Sequence, residues 1–528
     1  MGKTGKTVIC QPGDFEREQH YYQRALNAQI HPLVSYYLGL SPEALLTRYC
    51  HLNPSADKDK IRNIIQSKPK HFRWAGSDLF HVTTVEGYDI HFLLFKFPLI
   101  VLIFILDIAK LLLLKQILVL LVKNQCLWLM NKVSIIDLHV LFIWIYSNAL
   151  ILEEHGGYIS LISKTVKPYL DERGNLPEGG LAVIFDKNVM EASGYANTLA
   201  DVFNEPVYLV EWYLNDEDPP ARFNDEKVLE IRKPDGTWIP IRAAFRYVTQ
   251  KPWNRIFVSS TKTAIINPLN ACLAGGRNKA LAAKAYDFYN AELLREEVGV
   301  VIRTPETIRD VSRGEVPLYV ASFGGHAVVK VPYSNAGQGV YTITSQKELD
   351  EFMEAEANCP YDSYIVQSLI GNYHWSSVQR TGQFYHVGTI PNKKCNTYVS
   401  DLRMMIHFDY TVGCYRPLVI YARKAHTPLA EKLTPESDSW AMLGTNLSVK
   451  KTDDSWDTET ARLLLMDRRD FNQLGISVDT LIDGFIQTVL SVTAIDNMAE
   501  NLVAGGSFNA DLFTSLNKDE GLLKELKL

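Results

Sequence analysis

The sequence predicts a mixed α/β (α+β) protein with a helical N-terminal region, a parallel α/β unit and a second unit built around a Gly-rich loop. Three observations predict this. Between 153 and 270, continuous apolar runs such as 181–185 alternate with helical stretches, the pattern of a largely parallel sheet. Between 327 and 343, two β-prone runs flank a small-residue loop. Between 91 and 152, the composition shifts abruptly to an apolar segment unlike the rest. The chain therefore divides into 1–90, 91–152, 153–270, 271–505 and a tail, 506–528.

Composition narrows the function. Charged residues are 22% of 528 and the formal net charge is −6, which argues against a general nucleic-acid binder. Seven cysteines, at 10, 50, 126, 272, 359, 395 and 414, form no CxxC pair. That pattern predicts a reducing, cytoplasmic setting without a disulfide framework or zinc site. The first ten residues lack the apolar core of a secretory signal. Gly2 to Thr7 imitates the end of a phosphate-loop motif but has no leading strand, so a loose basic terminus is expected.

Residues 14–70 read as helical. Ser41 is an N-cap with Pro42 in the first turn, and 57–67 is a charged amphipathic helix. Residues 74–85 read as a strand entered through a turn at Gly76, with Glu86-Gly87 bending into a partner strand. Asp78 opens that strand, either facing a cleft or capping the turn.

The segment 91–152 is dominated by Leu, Ile, Phe, Val, Lys and Asn, with no glycine and only Pro98 as a breaker. Three readings compete. Residues 99–122 are long enough to span a membrane, but Asp107, Lys110 and Lys115 interrupt them, and a central charge costs about 2.5–3.5 kcal/mol on insertion. A buried helical hairpin demands more cover than most soluble domains supply. Translated AT-rich non-coding sequence, such as an unspliced intron, fits the composition best. A membrane contact is expected only if the segment is genuine protein.

In the α/β unit, strands are expected at 181–185, 207–212, 228–232, 237–241, 243–248 and 264–266. A helix is expected at 195–204 and a turn at Pro234-Asp235-Gly236. Arg246 and Trp253 are read as structural, with substrate contact as the alternative.

Chemistry-bearing residues concentrate after 275. Gly275 and Gly276 lead into a helix at 280–292, whose N-terminus suits phosphate. A cation is locally unfavourable at that end, so Lys279 hints at an anionic partner; a surface lysine is the plainer reading. The apolar run 327–329 delivers Lys330. Ser334, Asn335, Gly337, Gln338 and Gly339 follow, a loop whose N–H groups can cradle anions. It reads as a lid over nucleotide phosphates, or as an ordinary hairpin loop. Helix 346–357 precedes strand 364–370, which runs into Gly371, where a base could be read by backbone groups. Asp401 and Arg403 share one strand face. Arg423 ends the next strand, and 444–448 follows. Residues 462–470 and 478–503 read as amphipathic helices, and the tail as polar and loose.

The order of these motifs resembles the ATP-grasp superfamily, and most closely its circularly permuted branch of glutathionylspermidine-synthase-like and RimK-like ligases. The motifs are Asn278-Lys279, the Lys330 strand with 334–339, 365–370, Asp401-Leu402-Arg403, and Arg423 followed by 444–448. The likeness covers about 73–90 and 179–503. It implies that Lys279 and Lys330 contact ATP phosphates and that Gln367, Ser368 and Leu369 form the adenine hinge. It implies that Arg403 and Arg423 bind the transferred phosphoryl group and the carboxylate, and that Asn446 lines the same face. Mg²⁺ would be held by Asp78 and Asn446. The implied activity is ATP-dependent ligation of a small carboxylate to an amine or thiol. The family's metal motif continues as Glu-x-Asn after the Asp-Leu half, and no Glu-x-Asn occurs between 91 and 152. Two alternatives follow: a catalytically impaired nucleotide-binding or scaffold protein, and a membrane-anchored protein with a cytosolic α/β domain.

Overall fold

The computed structural model describes residues 6–12, 30–84, 91–96, 161–186, 189–212, 217–247, 261–334, 339–450, 456–464, 466–504 and 506–526. The insert beyond residue 96, and Trp253, lie outside the described residues.

The N-terminus is not loose from residue 7: Thr7–Cys10 form strand β1. Helix α1 (Pro42–Leu52) starts as its sequence predicts, with Ser41 Oγ accepting from Ala44 N–H at 3.2 Å. Helix α2 (Lys58–Gln66) starts at Asp57, whose carboxylate accepts from Asp59 and Lys60 N–H at 3.0 Å each. Strand β2 (Trp74–Thr83) pairs antiparallel with β3 (His91–Lys96). Gly76 lies inside β2 rather than in a turn before it, and Asp78 sits mid-strand. The reason is close packing: a Cβ at Gly76 would lie 2.1 Å from Met405 Sδ.

The α/β unit comprises β4 (Gly180–Phe185), α3 (Val189–Phe203), β5 (Val207–Glu211), β6 (Ala221–Phe223), β7 (Leu229–Arg232), β8 (Trp238–Arg246) and β9 (Ala264–Ile266). With β1 they form a seven-stranded sheet, ordered β1-β5-β4-β8-β7-β6, with β9 also on β8. Only its centre is parallel (β5–β4–β8 and β8–β9). The outer pairs β1–β5, β7–β8 and β6–β7 are antiparallel. The strands expected at 237–241 and 243–248 are one strand, β8, which serves the hairpin with its first half and the parallel core with its second. Arg246 ends β8 with a structural bond, Nε donating to Asn267 O at 2.8 Å.

The second unit begins with α4 (Lys279–Arg295). Strands β10 (Thr307–Val311), β11 (Ala327–Lys330) and β12 (Val340–Ile343), helix α5 (Gln346–Ala355) and β13 (Tyr364–Ser368) follow. Their antiparallel sheet is ordered β10-β13-β11-β12. Next come β14 (Tyr385–His386), β15 (Ser400–Asp409), β16 (Cys414–Lys424), α6 (Ser439–Leu443), β17 (Ser448–Lys450), β18 (Trp456–Thr458) and β19 (Leu463–Leu464). A six-stranded sheet is ordered β14-β2-β15-β16-β19 with β3 on β2, so β2 pairs with β15, whose Arg403 lies 325 residues after Asp78. The helix expected over 462–470 starts only at Arg468, because Asp467 caps it by accepting from Asp470 N–H at 2.8 Å.

Helix α7 (Val478–Asn501) runs beneath this sheet. It alone among the described helices is long and apolar enough to cross a membrane, yet 78% of its most apolar window is buried within the fold. Its polar residues grip neighbours. Asp496 accepts the N–H groups of Lys70, His71 and Phe72 at 2.7–2.8 Å, fixing the chain just before β2. The tail is docked, contrary to the loose end expected. A short hairpin, β20 (Val503–Ala504) and β21 (Ser507–Phe508), leads to α8 (Ala510–Leu516) and α9 (Glu520–Leu526), with Phe513 and Leu522 fully buried. Leu526 is buried with them, and Phe508, Leu512, Leu516 and Leu523 pack against the same core.

Asp496→Ala strands three N–H groups near the core and is expected to cost about 2–4 kcal/mol. Urea unfolding at neutral pH measures it.

Candidate functional site

A cleft, partly open to solvent, lies between the two antiparallel sheets. Strand alternation decides who faces it. Val328 and Lys330 of β11 and Val340 and Thr342 of β12 line one wall. Asp78 and Phe80 of β2, His386 of β14 and Asp401 of β15 line the other. Trp440, Leu443, Gly444, Thr445 and Asn446 close one end, and Lys279 reaches in from the start of α4.

The two lysines stand on one side, both 6% exposed. Asn278 caps α4 by accepting from Leu281 N–H at 3.2 Å, which fixes Lys279 at the first helical position. The Lys279 ammonium donates to Val331 O at 3.0 Å, to Ser334 Oγ at 3.1 Å and to Ser334 O. It therefore holds the root of the Gly-rich loop with the same charge it offers to the cleft. Lys330 donates to Gln367 Oε1, and Gln367 Nε2 donates to Thr307 Oγ1 at 2.7 Å. Asn335, Gly337 and Gln338 lie outside the described residues. Gly339 has φ +59°, and a Cβ there would meet Ser334 Oγ and Val331 at 2.9 Å, so the loop closes as the glycine allows.

Opposite them sit four alternating charges. The register places Arg403 against Asp78, and Asp401 against both Phe80 and Arg423. Arg403 Nε donates to Asp78 Oδ1. Arg423 Nη2 lies 3.0 Å from Asp78 Oδ2, and its Nε donates to Asp401 Oδ1 at 3.0 Å. All four side chains are at most 6% exposed. Burial alone would depress both arginine pKa values. The Asp78 carboxylate outweighs it at Arg403, and Asp401 with Asp78 outweighs it at Arg423, so both lie above the ordinary value. The arginines expected to face the ligand thus stand behind the carboxylates, because guanidiniums this buried require paired charge. Asp78 and Asp401 are the groups that reach the cleft.

The expected adenine hinge is differently spent. Leu369 N–H donates to Ser377 Oγ at 2.6 Å and Leu369 O accepts from Ser377 N–H at 2.8 Å. Ser368 N–H donates to Glu306 O, and Ser368 Oγ to Gln379 Oε1 at 2.9 Å. From this segment only Ile370 touches the cleft. Asn446 does line it, and Arg462 holds its carbonyl.

Sequence reasoning left out Asp401, Phe80, Thr342, His386, Trp440 and Arg462 as site residues. Period-2 spacing from Asp78 and from Arg403 could have supplied Phe80 and Asp401. No sequence signal marks His386 or Trp440. His386 is held neutral, its pKa pushed down to about 3 by burial.

No family model matches the chain, and no curated protein matches it. It is similar to solved ATP-grasp structures. A glutathione synthetase-like effector from Globodera pallida shares 10% identity at a TM-score of 0.34, over 79% of this chain and 87% of that one. A RimK domain ATP-grasp protein from Sphaerobacter thermophilus shares 13% at 0.26, over 46% and 89%. D-alanyl-alanine synthetase A from Vibrio cholerae shares 9% at 0.29, over 59% and 98%. These overlaps are low, and the functional reading rests on the cleft itself.

Two outcomes test the site's energetics. Arg403→Met leaves Asp78 with one guanidinium in place of two and is expected to cost about 3 kcal/mol in urea unfolding. His386 has a folded pKa of about 3 against an ordinary 6.5. The unfolded chain binds the proton more readily between those values, so stability falls as pH drops from about 6.5 to about 3. The acid-side fall in thermal midpoint is expected to be smaller in His386→Gln.

Proposed function

We propose that the cleft binds ATP with a divalent cation, and that the chain is an ATP-dependent ligase joining a small carboxylate to an amine or thiol. One observation carries this: a cleft with two ammonium groups on one side, two carboxylates on the other and Asn446 at one end. That arrangement suits a polyphosphate held between cations and a hard metal ion. The apolar wall of Val328, Val340, Ile370 and Leu443, with Trp440 beside it, suits a planar base.

The donor set fits magnesium in kind. Asp78, Asp401 and Asn446 offer oxygen ligands, and magnesium commonly takes one or two carboxylates together with substrate phosphates. A bound ion would neutralise charge developing on the phosphates. The chain's own residues do the rest. Lys330 and Lys279 orient phosphoryl oxygens, and Arg403 and Arg423 hold both carboxylates in place. Phosphoryl transfer depends mainly on such positioning and charge. The carboxylate substrate attacks the γ-phosphate, ADP leaves, and the amine or thiol then displaces phosphate from the acyl phosphate.

A second reading has its own observation. The strand beside β2, where the family likeness puts the second metal-binding half, is His91-Phe92-Leu93-Leu94-Phe95-Lys96, and Lys96 is registered against Asp78. A metal strand without a carboxylate favours a nucleotide-binding protein that does not catalyse.

MgATP is expected to raise the thermal midpoint of the wild type and to leave Lys330→Ala unmoved; equal shifts in both overturn the nucleotide reading. Magnesium-dependent ADP release in the full chain separates the ligase from the binding protein.

A further inference from the structure

The docked tail reaches the root of the Gly-rich loop at Tyr333. Tyr333 follows β11 at the root of the Gly-rich loop and is 5% exposed. Its hydroxyl donates to Asn517 Oδ1 at 3.1 Å, and the same oxygen accepts from Asp519 N–H at 3.1 Å. Asn517 is 2% exposed and lies between α8 and α9, which the neighbours hold firmly. Lys284 of α4 donates to Leu516 O, Tyr361 donates to Glu525 Oε2 at 3.1 Å, and the Tyr361 ring packs edge-on against Tyr333 at 4.7 Å. A Cβ at Gly521 would lie 2.1 Å from Pro360 O, so α9 is seated directly on the backbone before β13.

The segment that Tyr333 anchors is the one that Lys279 holds. Val331 O and Ser334 O flank Tyr333 in the chain, and both accept from the Lys279 ammonium. Lys279 N–H also donates to Pro332 O at 3.0 Å. A shift of Tyr333 displaces these carbonyls together, and with them the point where the ammonium rests. We infer that Asn517 is a positioning residue for the cleft: through the Tyr333 hydroxyl it sets the carbonyl frame that aims Lys279. The tail is thereby part of the site, though no tail residue lines the cleft.

The test removes the link without removing the ring. Tyr333→Phe removes the hydroxyl that donates to Asn517, and Asn517→Ala removes the acceptor that serves both that hydroxyl and Asp519 N–H. Amine-reactive labelling read by mass spectrometry reports how tightly Lys279 is held, with Lys284 on the same helix as the internal reference. Faster labelling of Lys279, unchanged labelling of Lys284, and no further increase in the double variant support the assignment. Unchanged Lys279 labelling in both single variants overturns it. A parallel rise at Lys284 also overturns it, because it shows the tail detaching rather than losing its aim. A second arm rests on the nucleotide reading above. MgATP is expected to bind Asn517→Ala about three- to tenfold more weakly, the equivalent of one hydrogen bond. A wild type that ignores MgATP defeats the nucleotide reading alone, and the labelling still decides the role of Asn517.

Discussion

Two guanidiniums without water decide how the six-stranded sheet is built. Arg403 and Arg423 are buried beside each other, and each needs a carboxylate at hydrogen-bonding distance. Asp401 comes from a neighbouring position on β15, but Asp78 comes from β2, 325 residues away. The pairing of β2 with β15 is therefore both a backbone ladder and a charge requirement. It fixes register, since a one-residue slip would turn Asp78 to the opposite face. Asp496 secures the same junction from below, where it gathers the backbone immediately preceding β2.

That requirement gives the cleft its polarity. The arginines are spent on Asp78 and Asp401 on the same face of the sheet, and the two carboxylates, not the guanidiniums, line the cleft. The lysines across the gap are consumed differently. Lys330 donates to the Gln367 amide oxygen, and Lys279 to backbone carbonyls and the Ser334 hydroxyl. An incoming anion has to compete with these neutral acceptors, which hold a cation less strongly than a phosphate would.

Much of the fold was legible where a local signal is strong. Ser41 and Asp57 mark helix starts, a continuous apolar run marks β4, and the small-residue loop marks the β11–β12 hairpin. Pairing partners were not legible. Nothing local says that β1 joins β5, that the two runs on either side of Arg242 make one strand, or that the outer pairs of the first sheet are antiparallel. The site was half legible for the same reason. Polar and charged residues announced themselves by type, and Lys279, Lys330, Asp78 and Asn446 line one cleft. Which way the arginines point depended on a cross-strand partner hundreds of residues away. The tail misled because its two apolar sets, 512/513/516 and 522/523/526, are each only one helical turn long, yet both pack on the core.

The long-range position of β2 also has a kinetic side. Chains emerge from the ribosome at about 5–20 residues per second, so β2 is exposed on the order of tens of seconds before β15 has been made. During that interval a strand carrying Leu79, Phe80 and Val82 has an open edge and an uncompensated aspartate. Sheets closed by such distant contacts form slowly, and their early strands are natural clients for holding chaperones. The nascent chain's demand for protection is thus written into the same pairing that completes the mature sheet.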